Sequence, residues 1–113
     1  MSPCPESRQY LACHEEILRL VRAMHDAARQ GDWIKLSELQ VRYIGQVDLL
    51  KAAGDSPDLS AGERAHRYEI LQAILFEDAA IRNLVAPAFA RISSLLDSGR
   101  RQQALAHAYR AAE

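Results

Sequence analysis

Glu63 and His66 stand three positions apart, so on a helix they would project from one face, the Glu-x-x-His element with which carboxylate-bridged bundles hold a pair of metal ions. Such a centre needs that element twice together with two further glutamates, and the chain carries it once. Ser60 gives Glu63 another role. Ser and Glu at this spacing form a capping box, in which each side chain accepts a hydrogen bond from the other residue's backbone N–H at the start of a helix. His66 then falls on a solvated surface. Cys13 adjoins His14, and the only other thiol is Cys4. A zinc site would need further ligands at matching spacing, and a disulfide would need an oxidising compartment. No metal or cofactor is expected.

Glu77 and Asp78 interrupt an apolar run, and a carboxyl buried beside a second one can serve as a general acid or base because its pKa rises. Consecutive positions, however, point to different sides of a helix, and Asp78 can pair with Arg82 four residues on. His14, His25, His66 and His107 are scattered singly, and the sequence holds no Gly-rich phosphate loop, no G-x-S-x-G and no C-x-x-C. No catalytic residue is assigned, and the chain reads as a binding protein rather than an enzyme.

Lys and Arg number 14 against 15 Asp and Glu, so no global field draws the chain to nucleic acid or to an anionic membrane. No uninterrupted apolar run approaches the roughly 18 residues of a membrane span, and Met1 to Tyr10 lacks the basic-then-apolar order of a signal peptide. Protein partners and a cytoplasmic location are the expectation.

The elements that must position these groups are helices. Of the 113 residues 49% are hydrophobic but only 6% aromatic, a composition suited to packed helices in a single domain. Tyr10, Cys13, Ile17, Leu20, Met24 and Ala27 recur at steps of three and four, the spacing of one helix face. Gly31 can take the left-handed conformation that ends a helix, and Asp32 is a natural N-cap, so a tight αα-hairpin follows. The second helix carries Trp33, Leu36, Leu39, Tyr43, Val47 and Leu50 on one stripe and stops at Gly54 and the run Asp55 to Asp58. Trp33, at the junction, is expected to be buried. A third helix starts near Ala61 and runs to about Leu96 with Leu71, Ile74, Ile81, Val85, Ala88, Ile92 and Leu95, a length of roughly 50 Å. Pro87 removes a backbone donor within it and should kink it without stopping it.

After Asp97, Ser98 and Gly99 the segment from Arg100 has Leu105 and Tyr109 as its only large apolar residues. It should form a short, weakly packed C-terminal helix, with 99–113 able to detach from the rest of the domain. The expected fold class is therefore all-α: an antiparallel bundle of three helices, the third long and kinked at Pro87, plus that short helix. Glu15–Arg19, Glu38–Arg42 and Glu63–Arg67 mark solvated faces by their i, i+4 spacing. Leu11, Leu18, Ile34, Val41, Ile44, Ile70, Leu75 and Phe76 fall outside or at the margin of the stripes. Apolar surface of that extent marks either a partner-binding groove or a fatter core and dimer seam.

The order of these features resembles the FliT family of flagellar export chaperones. The resemblance is carried by Ala27-Ala28-Arg29-Gln30-Gly31-Asp32-Trp33 between two helices, then Leu36 and Leu39, then Ile70-Leu71-Gln72-Ala73-Ile74-Leu75-Phe76-Glu77-Asp78. It implies a chaperone that holds the C-terminal part of the flagellar filament-cap protein before export and meets the export ATPase complex and the export gate. Some members also bind the flagellar master transcription regulator, so a small, homodimeric helical regulator or adaptor with that target is the alternative. By position, the resemblance places Leu71, Leu75 and Arg82 on the partner-contact face, flanked by Tyr43 and Val47 of the second helix. It gives Leu105 and Tyr109 to a fourth helix that covers the groove as an autoinhibitory contact.

Overall fold

The computed structural model describes residues 5–112, and the side chains of 6–110; Cys4 lies outside the described residues. All the regular structure among them is helical: α1 (Pro5–Gln30), α2 (Trp33–Ala52) and α3 (Ala61–Ala112). The chain forms two compact units, one reaching to Arg82 and the other beginning at Asn83.

In the first unit α1 is the element with covered flanks on two sides. Residue order fixes the directions. Near the start of α1, Tyr10 and Cys13 share a cleft with Leu49 and Leu50 at the end of α2, so those two helices run antiparallel. Toward α3 the contacts ascend together, Ser7 with Glu63, Glu15 with His66 and His25 with Glu77, so α1 and the first half of α3 are parallel. This arrangement explains why the buried set on α1 is wider than one stripe. Ile17, Leu20, Met24 and Ala27 are joined by Val21, Ala28, Ser7 and His14, whereas α2 contributes only Leu39 and α3 contributes Ile70, Ile74 and Ile81. His14 has 1% of its surface exposed; its Nδ1 lies 2.7 Å from the Tyr10 carbonyl oxygen and its ring meets Tyr10 edge-on.

The boundaries follow from local chemistry. α1 begins at Pro5, earlier than the apolar stripe that starts at Tyr10, because proline at a first helical position forfeits a donor that would have had no partner there. It ends in a Schellman motif. Gly31 at φ 71° lets its N–H reach the Ala28 carbonyl at 3.1 Å while the Asp32 N–H reaches that of Ala27 at 2.9 Å. The Asp32 carboxylate then caps α2 by accepting from the Lys35 N–H at 3.1 Å. α2 ends at a second left-handed glycine, Gly54. The capping box opens α3 as expected: the Ser60 N–H donates to Glu63 Oε1 at 3.0 Å and the Glu63 N–H to Ser60 Oγ at 3.1 Å.

Two expectations are corrected and one open alternative is settled. Trp33 is 39% exposed rather than buried. At about 100° per residue it sits at the edge of the stripe centred on Leu39 and Tyr43, so the indole leans out of the interface. Ile70, which lay outside the main stripe, is a core residue with 4% of its surface exposed, because the face of α3 that meets α1 is the 70–74–77–81 line. Finally, α3 does not end near Leu96. It passes Pro87 and continues through Asp97, Ser98 and Gly99 to Ala112, so among the described residues no separate fourth helix forms. A helical glycine costs about 1 kcal/mol relative to alanine and still makes its backbone hydrogen bonds, which is too little to break a helix formed on both sides of it.

Candidate partner-binding surface

Among the described residues, Glu63, His66, His25, Glu77, Asp78 and Cys13 each have a structural partner. Glu63 is held by the Ser60 N–H and the Ser7 hydroxyl, and both bonds keep its carboxyl below the usual carboxylate range. His66 Nε2 lies 3.0 Å from Glu15 Oε1, and Glu77 Oε2 lies 2.5 Å from His25 Nδ1. Asp78 pairs with Arg82 at 2.7 Å, as the i, i+4 spacing predicts. The Cys13 thiol donates to Gln46 Oε1 at 3.8 Å. Arg19, by contrast, takes Glu16 rather than Glu15, and that bond holds the Glu16 carboxyl below its ordinary value and the guanidinium above its own. Glu15 is thereby released to α3.

The five positions assigned to partner contact fall into two sets. Tyr43 and Val47 on α2 are half-buried on the face turned to α1. Leu71, Leu75 and Arg82 share one line of α3 at spacings of four and seven, each one position after Ile70, Ile74 and Ile81 and so roughly 100° around the helix from the line that enters the core. Leu71 is half-buried, Leu75 is 68% exposed and Arg82 is exposed. Two further residues broaden this surface. Tyr68, 62% exposed, precedes Leu71 by three and Leu75 by seven, and its hydroxyl accepts from Gln72 Nε2 at 2.9 Å. Phe76 is 70% exposed. Phe76 is visible in the sequence as an apolar residue outside the stripe, and the spacing of Tyr68 to Leu71 and Leu75 carries the same signal. Among the surplus apolar residues, Ile34, Val41 and Ile44 form an exposed line on α2 away from α1, whereas Leu11 and Leu18 are half-buried.

In the second unit, Leu105 and Tyr109 are both exposed on α3. Phe89, Ile92 and Leu96, at spacings of three and four, are exposed as well. Among the described residues no helix is long and apolar enough to cross a membrane.

A protein-family model described as flagellar protein FliT matches residues 11–111. The flagellar protein FliT of Photorhabdus laumondii is 25% identical over 99 residues, covering 88% of this chain and 79% of the relative. That of Pectobacterium carotovorum is 23% identical over 96 residues, covering 85% and 76%. Among solved structures, the crystal structure of flagellar protein FliT from Bordetella bronchiseptica superposes with a TM-score of 0.69 at 29% identity, covering 76% of this chain and 98% of that one.

Proposed function

We propose that this chain, which belongs to the FliT family of flagellar proteins, is a cytoplasmic export chaperone that binds the C-terminal part of the filament-cap protein through the outward apolar face of α3. The observation that carries the reading is the exposure of Tyr68, Leu75 and Phe76 beside half-buried Leu71 on a helix whose opposite side is already committed to the core. Contiguous apolar surface of this kind gains by receiving the apolar side of a partner helix. Arg82, at the end of the line, supplies a charge that fixes register, and Tyr43 and Val47 of α2 are proposed as flanking contacts. The export ATPase complex and the export gate are proposed as later partners, reached once the client is held.

Leu105 and Tyr109 enter the proposal as regulators, since two exposed apolar residues at a spacing of four can compete with a client for apolar surface. Replacing both by alanine in the full chain should then raise client affinity.

The test is a calorimetric titration of the full chain with a filament-cap C-terminal fragment. Leu75→Ala and Leu71→Ala should each weaken binding by about tenfold, the effect of a hot-spot truncation worth more than 1 kcal/mol, with an unchanged helical spectrum. Wild-type affinity in both variants would remove α3 as the receptor. Absence of any affinity for the fragment, with binding to the flagellar transcription regulator, would assign the adaptor role instead.

A further inference from the structure

We propose that the cleft at the entrance to α3 is an anion site that takes phosphate, either free or as a monoester; this inference does not depend on the chaperone reading. The cleft encloses about 240 Å³ between the loop residues Ser56, Pro57, Asp58 and Leu59 and two arginines of α3, Arg64 and Arg67. Arg67 lies with its guanidinium carbon 5.7 Å from the centre of the Tyr10 ring, and its Nε is a buried donor with no acceptor. A buried, charged donor left without a partner is costly, so the position gains wherever an anion can reach it. Arg64 is exposed one turn earlier on the same side of the helix. Among the described residues neither guanidinium has a hydrogen bond or an ion pair with protein, in contrast to Arg19, Arg29 and Arg82.

The reason lies in Glu63. Its spacing from Arg67 would ordinarily make an i, i+4 pair, but its carboxylate is drawn away by the Ser60 N–H and the Ser7 hydroxyl. The carboxylate left in the cleft lining is Asp58, so two positive charges face one negative, and the lining carries a net positive charge toward an entering anion. A carboxylate would satisfy a single guanidinium fork. Two forks from adjacent turns, with Ser56 also in the lining, bring several donors to one cleft, a set suited to a tetrahedral oxyanion. The volume leaves room for the ester group of a monoester.

The full chain would be titrated with sodium phosphate at constant ionic strength, with sodium chloride as reference, following the arginine Nε–H signals and the backbone amides of residues 56–67 by NMR. Saturating shifts at Arg64 and Arg67 that chloride does not produce are expected. Arg64→Gln, at an exposed position, should weaken phosphate binding by about tenfold, the loss of one charge-assisted contact. Arg67→Lys keeps a cation over Tyr10 but removes the orphan Nε donor, and a similar loss is expected. AMP serves as a second probe: shifts at the same residues assign a phosphate ester, and shifts with inorganic phosphate alone assign a free anion. Linear, unsaturating shifts equal in phosphate and chloride would overturn the proposal, as would wild-type phosphate affinity in both variants.

Discussion

The Nδ1 of His25 lies 2.5 Å from Oε2 of Glu77, joining α1 to α3 across 52 positions of sequence with both side chains about four-fifths buried. The bond turns an apparent acid–base candidate into a strut between parallel helices, bordered by Ile74 and Ile81 of the core. In a double-mutant cycle of His25→Ala and Glu77→Ala, a coupling energy of about 1–3 kcal/mol is expected from urea unfolding, because either single change strands a mostly buried polar group. A coupling of zero would show that the two residues act independently.

The capping box predicts a pH dependence with a definite sign. The Ser60 N–H and the Ser7 hydroxyl hold the folded-state carboxyl of Glu63 below its unfolded value. A depressed acid contributes stability above the unfolded glutamate value of about 4.3 and loses that contribution as pH falls through the lower folded value. The protection of the residue 61–64 amides relative to their intrinsic exchange at the same pH should therefore fall on acidification below that range in the wild type. Glu63→Gln should flatten the dependence, and an unchanged profile would rule out the carboxylate as its source.

Burial ranks Leu39 above Trp33 in α2, with 8% and 39% of the surface exposed. Leu39→Ala should destabilise the chain by about 2–5 kcal/mol, the cost of a core cavity. Trp33→Ala should cost less, despite the larger side chain. Equilibrium unfolding of the two variants side by side gives the ranking, and the reverse order would return Trp33 to the core.

Two glycines should respond to alanine in opposite directions. Gly99 lies inside α3, and a Cβ there would meet nothing within 4 Å, so Gly99→Ala should strengthen the helix by about 0.5–1 kcal/mol. Gly31 is at φ 71°, where an L side chain is strained, so Gly31→Ala should destabilise the hairpin by roughly 1 kcal/mol even though the space is open. Circular dichroism and thermal unfolding read both. Loss of helix in Gly99→Ala would identify a hinge at that position.

The helical class, the α1–α2 hairpin and both ends of the connecting segments are legible along the chain alone. Those features are written in short-range chemistry: the left-handed Gly31, the Asp32 cap and the Ser60–Glu63 box act within four residues of themselves. The Leu36–Leu39–Tyr43–Val47 stripe was legible for the same reason, since a single helix repeats its own geometry. What the tertiary structure decided was which of several competing partners each side chain took. Glu15 could pair with Arg19 by spacing but meets His66, and Glu63 could pair with Arg67 but is held by Ser7 from another helix. The depth of Ile70, the exposure of Trp33 and the width of the α1 core likewise depend on how far one helix is rotated against the next, a quantity that no periodicity within either helix contains. The continuity of α3 past Gly99 was set by a small local cost against the hydrogen bonds of the turns on both sides, a balance that residue types alone leave open.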